Sequence, residues 1–356
     1  MKSLCLIPAL VLALAAQDAP SPVTAAQRKG VVETLAKELK ARYVFPEVAD
    51  KVGQALTAKL TKGGYDGATT TQAFAEALSK DLREVGNDGH FRVRFDPSFK
   101  PGSDDEDKPP TKEEVAQARA FTARRGFGVA KVEQLPGNVG YLDVRGFGPT
   151  EFVGPAFTAA LSLLSGTEAL ILDLRQNGGG DPESVAYLVS HFFGEGDARH
   201  INSIYNRPRN TTRQYWTTAT VGVRYSNPVY VLTSGRTFSG GEECAYDFQT
   251  QKRAVLVGET TGGGANPGGA VALGHGFLAF VPTGRAINPI TNTNWEHVGV
   301  KPDVAVPAAE ALKAAHAAIL KAILAKEQDA DYRKRLEGIL AKVEKGEAEV
   351  PVYLRR

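Results

Sequence analysis

The feature that most constrains the fold is a series of short, near-continuous apolar runs between about residues 126 and 306, which alternate with helical stretches. The apolar runs are residues 139–144, 169–174, 229–233 and 254–258, and the helical stretches are 152–164, 182–193 and 240–251. Strands that are apolar throughout are typical of a sheet covered on both faces. Because strands and helices alternate, the sequence predicts an α/β core with some parallel pairing.

Helical periodicity dominates on both sides of this core. Between residues 24 and 85, apolar residues recur at helical spacing in three stretches. They are Val31, Val32, Leu35 and Leu39, then Val52, Leu56 and Leu60, and then Phe74, Leu78 and Leu82. The segment 97–110, rich in Pro and Asp, predicts a loop, and the stretch from Thr111 to Arg119 predicts a short helix capped by the threonine. From Ala308 onward, an Ala/Lys/Glu/Leu-rich tail predicts further helix.

These patterns divide the chain into five parts. We expect a signal peptide at 1–16, a small N-terminal helical domain at 17–95, and a linker with a loop and a short helix at 96–125. The α/β core domain covers 126–307, and the helical tail covers 308–356.

The first 16 residues consist of a lysine followed by a short apolar run that ends in small residues. This pattern predicts a secretory signal peptide, and the run is too short to span a membrane. The mature protein is therefore expected to be secreted, periplasmic or extracellular, without membrane insertion. Once the signal is removed, Cys244 is the only cysteine, so no intrachain disulfide can form.

Charge and motif content exclude several classes of partner. The 42 basic residues nearly balance 40 acidic residues, and no basic cluster with interleaved aromatic residues suggests nucleic-acid binding. No H-E-x-x-H or C-x-x-C spacing occurs, so the sequence predicts neither a metal site nor a cofactor.

Two glycine-rich loops follow apolar runs and precede helical stretches, which is where chemistry collects in α/β cores. The first is residues 173–180, DLRQNGGG. Consecutive glycines such as Gly178 and Gly179 allow backbone amides to point at an anion or a developing oxyanion. The spacing matches neither a dinucleotide fingerprint nor a P-loop. A tight turn that needs positive φ is the structural alternative.

The second loop, residues 233–248, contains Ser239 followed by Gly240 and Gly241. Ser239 and Glu242 form the S-x-x-E pattern of a capping box, so a helix cap is one interpretation. A serine at a helix N-terminus beside the Gly240 amide is also placed as a nucleophile for acyl transfer. A serine alone is a weak nucleophile and needs a base.

The six histidines provide the candidates for that base. His191 lies in an apolar helical stretch and is expected to be packed or at the surface, while His200 and His316 lie in polar surroundings and are expected to be solvated. His90, His275 and His297 remain open as candidates from the residues alone.

Four segments resemble those of peptidase family S41, the tail-specific or carboxyl-terminal processing proteases with their tricorn and interphotoreceptor retinoid-binding protein relatives. They are 237–243 (TFSGGEE), 254–264 (AVLVGETTGGG), 173–180 and 295–303 (WEHVGVKPD), and the resemblance covers roughly residues 85 to 305. It implies a crotonase/ClpP-like α/β fold and a serine peptidase.

The family has two catalytic branches, and the resemblance assigns this chain to one of them. In the serine–lysine branch, the lysine corresponds to Gly264 of this chain, Lys252 lies too early to replace it, and residues 91–137 are too short for the usual PDZ module. The tricorn-like and retinoid-binding-like branch uses serine, histidine and glutamate, which match Ser239, His90 in the D-G-H segment, and Glu296. Gly240 with Gly178 or Gly179 would then supply the oxyanion hole.

The sequence thus predicts a secreted serine peptidase that acts on peptides or proteins through an acyl-enzyme, with His275 as the alternative base. A non-catalytic binding protein for a retinoid or fatty acid is the main alternative, and a nucleotide-binding enzyme is another. Asp173 is expected to be structural, bonding backbone or Arg175, which could pin the glycine loop. Cys244 is expected to be a buried small hydrophobe. The oligomeric state and the choice between internal and carboxyl-terminal cleavage are not specified by the sequence.

Overall fold

The computed structural model of the protein describes residues 21–99 and 111–347. The helices are α1 (Ala25–Arg42), α2 (Pro46–Thr61), α3 (Thr71–Gly86), α4 (Lys112–Ala123), α5 (Thr150–Leu164), α6 (Pro182–Ser190), α7 (Gly240–Thr250), α8 (Ala311–Leu324) and α9 (Ala330–Lys345). The strands are β1 (Arg92–Phe95), β2 (Val129–Leu135), β3 (Val139–Val144), β4 (Ala169–Asp173), β5 (His200–Asn206), β6 (Thr211–Trp216), β7 (Val229–Thr233), β8 (Ala254–Gly258), β9 (Gly268–Gly274), β10 (Phe277–Pro282), β11 (Gly284–Ile287) and β12 (Val304–Ala305).

A six-stranded sheet forms the centre of the molecule, with the strand order β12-β8-β7-β4-β3-β2. All neighbouring pairs in it are parallel except β2 and β3, which pair antiparallel. Two smaller sheets have the orders β1-β10-β9 and β11-β5-β6. The expected α/β fold class with parallel pairing is confirmed.

Helices cover both faces of the central sheet, which explains why its strands are apolar throughout. In β4, Leu170 and Leu172 point into a core shared with α5, α6 and α7. Ile171 points the other way, into a core that includes Ile319 of α8. Each fully buried Leu or Ile contributes roughly 1.5–3 kcal/mol relative to exposure. Because side chains alternate between the two faces along a strand, Leu170, Ile171 and Leu172 of β4 are all buried, on one face or the other.

The N-terminal helices share their core with strands from a distant part of the chain. Packed against α1, α2 and α3 are Leu273 of β9 and Phe277, Ala279 and Val281 of β10. Strand β1 pairs antiparallel with β10, with Val93 opposite Ala279. This core crosses the expected boundary at residue 95, so the domain division stays a prediction.

Most element bounds agree with the sequence pattern to within one or two residues. The apolar runs coincide with β3, β4, β7 and β8. The expected helix after Thr111 is α4, and the Thr111 side chain caps it by accepting from the Glu114 N–H. The helical tail is interrupted, because α8 ends at Leu324 and Asp329 caps α9.

Two of the sequence-based predictions concern segments that lie outside the described residues. They are the proposed signal peptide, residues 1–16, and most of the 97–110 loop. Within the part of the chain that is described, no helix combines the length and apolar character needed to cross a membrane.

Candidate active site

Ser239 lies between β7 and α7 in a backbone conformation that side chains rarely adopt. Its φ is 54° and its ψ is −122°. A non-glycine residue in such a region costs of order 1–3 kcal/mol and persists where the surroundings enforce it. A strained strand-to-helix turn of this kind presents a nucleophilic side chain in hydrolases.

The Glu242 carboxylate holds this turn in place. It is fully buried and accepts four hydrogen bonds. Oε1 accepts from Thr261 Oγ1 (2.5 Å) and the Gly263 N–H (2.6 Å). Oε2 accepts from the Gly264 N–H (2.8 Å) and the Ser239 N–H (2.9 Å). Burial raises the pKa of Glu242, while these hydrogen bonds act in the opposite direction.

The expected capping pair is therefore also a link between two loops. Glu242 accepts from the Ser239 N–H, as in a capping box. It uses the same carboxylate to fix the 261–264 loop beside the serine, because one oxygen serves both Ser239 and Gly264. The cap and nucleophile interpretations of Ser239 thus do not compete.

The other glycine loop packs directly against the serine. A Cβ on Gly179, whose φ is +96°, would lie 2.7 Å from Ser239 Cβ. Asn177 is fully buried and fastens this loop, since its Nδ2 donates to the Val144 carbonyl (3.0 Å) and its own carbonyl accepts from the Phe238 N–H (3.0 Å). The structure thus brings together the two glycine-rich loops, residues 173–180 and 233–248, that the sequence analysis identified.

The three candidate oxyanion donors differ in their present partners. The Gly179 N–H donates to Asn177 Oδ1 at 2.8 Å. Among the described residues, no hydrogen bond is found for the Gly178 N–H or the Gly240 N–H. Gly240 is the first residue of α7, so its amide lies at the positive end of the helix dipole.

His90 lies in the turn between α3 and β1, with its ring held between two aromatic rings. The Phe238 ring lies 4.6 Å from it between centroids, and the Phe280 ring of β10 lies 5.8 Å from it in a stacked arrangement. Phe238 immediately precedes Ser239, so the histidine and the serine loop are in contact through that ring. Among the residues that the structure describes, neither ring nitrogen of His90 has a hydrogen-bond partner, so there is no Ser239–His90 hydrogen bond.

Asp88 lies beside this histidine and is fully buried. Its Oδ1 accepts from the His90 N–H at 2.9 Å and lies 3.5 Å from His90 Nδ1. Its Oδ2 accepts from Asn266 Nδ2 (2.9 Å) and the Tyr43 hydroxyl (3.2 Å). Burial would raise the pKa of Asp88, but hydrogen bonds from His90 and Asn266 outweigh it, and the pKa is lowered.

Glu296 is hydrogen-bonded to the 261–265 loop. Its Oε2 accepts from the Ala265 N–H, and among the described residues its buried Oε1 has no hydrogen-bond partner. Burial, followed by the nearby negative charge of Asp88, raises the pKa of Glu296 to about 8. The neighbouring Trp295 Nε1 donates to the Gly264 carbonyl at 2.7 Å, which fixes this segment against the loop.

The remaining histidines are placed away from this arrangement or exposed. His275 lies in the β9–β10 turn against Gly30 of α1, and the His297 side chain is 49% exposed. His191 is buried and packed, one of the two expected alternatives.

The expectation that both His200 and His316 are solvated is wrong for His316, whereas His200 is half-buried. His316 is buried on α8 and interacts with the Pro136 carbonyl through Nε2 at 2.8 Å. His200 stacks on Trp216 at 4.7 Å between ring centroids. In both cases the partner lies on another part of the fold, Pro136 between β2 and β3 and Trp216 on β6.

The expectations for Asp173 and Cys244 are confirmed. Asp173 accepts from the Arg175 backbone and guanidinium and from the Tyr141 hydroxyl, the last at 2.7 Å. Arg175 does not pin the glycine loop through its guanidinium, which donates instead to the Ala308 carbonyl. Cys244 is buried, and burial raises the pKa of its thiol. Across residues 21–99 and 111–347, no group of three or more His, Cys, Asp or Glu side chains is arranged to hold a metal ion.

Sequence reasoning missed several residues of this neighbourhood. They are Tyr43, Asp88, Asn177, Asn266 and Phe280. Asp88 and Asn177 lie within the D-G-H and DLRQNGGG segments, where the sequence assigns neither of them a role. Tyr43, Asn266 and Phe280 give no local signal, because their partners lie tens to hundreds of residues away and only the fold brings them together.

Comparisons with known proteins match the sequence of this chain to a family. The sequence model of peptidase family S41 matches residues 138–306. A second model, for the N-terminal domain of peptidase S41 in eukaryotic IRBP, matches residues 23–123.

The chain is similar to carboxyl-terminal-processing peptidase 2 of Arabidopsis thaliana, at 28% identity over 49% of this chain and 34% of that protein. It is 30% identical to the carboxy-terminal processing protease CtpB of Bacillus subtilis, over 48% of this chain and 34% of CtpB. It thus spans about a third of the length of these relatives.

A solved peptidase structure from Parabacteroides merdae shares the fold, with a TM-score of 0.57 and 19% identity over 82% of this chain and 96% of that chain. Two family models together match most of the described chain, and the Ser239 loop and the 173–180 loop, which lie within the first match, pack against each other. The chain belongs to peptidase family S41.

Proposed function

We propose that this protein is a serine peptidase in which Ser239 is the nucleophile, His90 the general base and Glu296 the acidic member of the triad. The observation that carries this proposal is the space beside Gly264. A Cβ at that position would lie 2.8 Å from His90 Cε1 and 2.3 Å from Phe238 Cζ. The lysine of the other branch is expected at this position, and here the imidazole and the phenyl ring fill its space.

The reaction follows the general acyl-enzyme scheme. Ser239 Oγ attacks the scissile carbonyl carbon, and its proton passes to His90 Nε2, since Nδ1 faces Asp88. The tetrahedral intermediate collapses, the C–N bond breaks, and the amine leaves with the proton from His90. Water then attacks the ester with His90 again as base, which releases the acid and restores the serine hydroxyl.

The described arrangement is a resting one for this chemistry. Within residues 21–99 and 111–347, neither ring nitrogen of His90 has a hydrogen-bond partner, so the Ser239–His90 hydrogen bond has to form when substrate binds. Catalytic hydrogen bonds are often long or absent before substrate arrives. Because Phe238 precedes Ser239 and packs on His90, a small shift of that ring changes the approach of the two groups.

The oxyanion would be held by the Gly240 N–H with the Gly178 N–H. Gly179 is the weaker candidate, because its N–H already donates to Asn177 Oδ1. A positioned base contributes typically 10²- to 10⁴-fold in rate. Each oxyanion donor contributes about 2.7–4 kcal/mol to transition-state stabilisation.

The substrates we propose are peptides or proteins, in line with the carboxyl-terminal processing named for the Arabidopsis and Bacillus relatives. The proposed signal peptide would place the enzyme in a periplasm or outside the cell. The match of residues 23–123 to the IRBP N-terminal domain favours a second candidate, a non-catalytic protein that binds a hydrophobic ligand. The clustering of Ser239, His90 and Glu296 around one loop favours the enzyme, because a binding protein needs none of the three.

The test is covalent labelling by a fluorophosphonate probe, which reacts with activated serines. We expect the native protein to be labelled at Ser239 and the Ser239→Ala variant to be neither labelled nor active on a peptide library. Ser234→Ala is the matched control, since Ser234 lies in the same loop but its hydroxyl donates to the Arg175 carbonyl. Labelling that survives Ser239→Ala would refute the nucleophile assignment. Saturable retinol or fatty-acid binding without hydrolysis would favour the binding protein.

A further inference from the structure

The histidine of the proposed site has two carboxyl groups in its surroundings, and their environments differ. Asp88 Oδ1 lies 3.5 Å from His90 Nδ1 and also accepts from the His90 N–H. Glu296 faces the 261–265 loop, where one oxygen accepts from the Ala265 N–H and the other has no hydrogen-bond partner in the part of the chain that is described. Of these two carboxyl groups, Asp88 is the one in contact with the His90 imidazole.

We propose that Asp88 is the positioning carboxylate of the site: it orients the His90 imidazole through Nδ1 and balances its positive charge during turnover. This proposal rests on the proposed peptidase function and reassigns one role within it. Glu296 then remains part of the site as a neighbouring carboxyl group that is neutral in the resting state.

The Asp88 carboxylate is held rigidly enough for this role. Its Oδ2 accepts from Asn266 Nδ2 at 2.9 Å and from the Tyr43 hydroxyl at 3.2 Å, and its side chain is 0% exposed. Its Oδ1 is fixed relative to the histidine backbone by the 2.9 Å bond from the His90 N–H. A buried carboxylate with three donors is pre-organised, so it loses little entropy when the imidazolium forms.

The pKa values of the two carboxyl groups support the same assignment. The pKa of Asp88 is lowered, because hydrogen bonds outweigh burial, so the group is ionised at neutral pH. The pKa of Glu296 is raised to about 8 by burial and by the charge of Asp88, so Glu296 carries its proton at neutral pH. Two nearby carboxyl groups whose pKa values are pushed apart take different roles.

Other charged groups around the imidazole do not replace Asp88. The Glu242 carboxylate on α7 is occupied by four donors from the serine turn and the 261–264 loop. The pKa of Tyr43 is raised by burial and by Asp88, so its hydroxyl stays a donor. His297 lies 3.6 Å from Glu296 Oε1 and is half exposed.

The first experiment reads the histidine directly and needs no activity. Nitrogen-15 NMR of the Ser239→Ala protein, with His90 assigned through His90→Gln, reports which ring nitrogen carries the proton in the neutral imidazole. We expect the proton on Nδ1 in the parent protein and a loss of that preference in Asp88→Asn. An unchanged tautomer in Asp88→Asn would overturn the proposal even if the protein proves not to be a peptidase.

The second experiment compares kinetics of matched variants. In Asp88→Asn, kcat should fall by about 10⁴-fold, the scale seen when the carboxylate behind a catalytic histidine is replaced by an amide. In Glu296→Gln, kcat should fall by a smaller factor than in Asp88→Asn at neutral pH, since the amide replaces a group that already carries its proton. The opposite order, with Glu296→Gln the more damaging, would return the orienting role to Glu296.

Two controls separate positioning from folding. Asp81→Asn removes a similar buried carboxylate, which accepts from the Tyr65 hydroxyl at 2.6 Å in the same helical region but lies apart from His90. Asn266→Ala keeps Asp88 and removes one of its donors. We expect Asp81→Asn to keep the tautomer and kcat of any folded protein, and Asn266→Ala to lower kcat with little change in KM. An Asn266→Ala enzyme with native kcat would count against the proposal if Asp88→Asn fails to fold.

If native protein is not labelled at Ser239 by the fluorophosphonate probe, the proposed function fails and the NMR result alone decides the role of Asp88. If labelling and turnover depend on Ser239 but Asp88→Asn behaves as the native enzyme, only this inference fails.

Discussion

At the scale of single residues, the site is built from backbone conformations and close contacts that tolerate few substitutions. Ser239 adopts a φ of 54°, which is unfavourable for any side chain, and the surrounding loops enforce it. Gly179 at φ +96° lies against it, and Gly241 has room for no Cβ because Asn177 Oδ1 would be 2.7 Å away. Gly179 and Gly241 are therefore required because a side chain would not fit there, and not only because they leave backbone amides accessible.

Gly179→Ala is expected to destabilise the protein and abolish fluorophosphonate labelling. The new Cβ would lie 2.7 Å from Ser239 Cβ and 2.9 Å from the Phe238 carbonyl oxygen, and an L-residue is strained at this φ. The cost should be about 1–3 kcal/mol of the free energy of unfolding, measured by urea denaturation.

Gly178→Ala is the matched control for folding. A Cβ at Gly178 meets no atom within 4 Å, so the unfolding midpoint should stay native. Equal destabilisation by the two substitutions would show that the contact between Gly179 and Ser239 does not govern the effect.

At the scale of elements, α7 combines the proposed nucleophile at its start with a buried acidic pair. Glu243 and Asp247 are one turn apart and buried, and Asn202 Nδ2 donates to Glu243 at 2.8 Å. Within the described part of the chain, neither Asp247 oxygen has a hydrogen-bond partner. Burial, opposed by the Asn202 bond, raises the pKa of Glu243 to about 7, and burial together with Glu243 raises the pKa of Asp247 well above its usual value. At neutral pH the helix is therefore packed around a carboxyl pair that is only partly ionised.

This arrangement predicts a stability that falls as pH rises. The pKa of Glu243 is 4.5 in its ordinary state and about 7 in the folded protein, so the unfolded chain releases the proton first. The favourable contribution is complete below about pH 4.5 and is lost as pH rises through 7, at up to about 1.4 kcal/mol per pH unit.

The check is urea unfolding across this pH range for native protein and Glu243→Gln. The amide cannot ionise, so the variant should lose less stability between pH 5 and about pH 8 than the native protein does. Identical pH slopes for the two proteins would contradict the assignment of a protonated Glu243.

At the scale of the whole molecule, the helical N-terminal part and the distant strands β9 and β10 form one hydrophobic core. This shared core places strand β1, and the His90 turn that precedes it, beside β10. Phe280 of β10 stacks on the His90 ring. The site therefore depends on chain segments separated by nearly two hundred residues.

Removing residues 21–95 is expected to prevent folding of the remainder. The deletion would expose Leu273, Phe277 and Val281, now 0–2% exposed, and would take away the strand paired with β10. Exposed apolar surface of this kind promotes aggregation, which size-exclusion chromatography and circular dichroism would detect.

Truncation after Gln328 is the comparison, since it removes α9, whose only fully buried side chain is Leu336. That variant should remain folded with at most a modest loss of stability. A folded, monodisperse fragment lacking residues 21–95 would instead support the domain boundary expected near residue 95.

The sequence by itself determined the features that depend on local pattern. Apolar runs gave β3, β4, β7 and β8 because a strand buried on both faces must be apolar throughout. The capping pattern at Ser239 and Glu242 and the glycine runs marked the two loops that pack together, since turn chemistry is encoded within a few residues.

Only the tertiary structure decided what surrounds the histidine. Tyr43, Asn266 and Phe280 meet at Asp88 and His90 because α1, the 261–266 loop and β10 fold against one another, and no local pattern records such contacts. The same holds for the two carboxyl groups, since hydrogen bonds from His90 and Asn266 make Asp88 the ionised one, while burial and the charge of Asp88 keep Glu296 protonated.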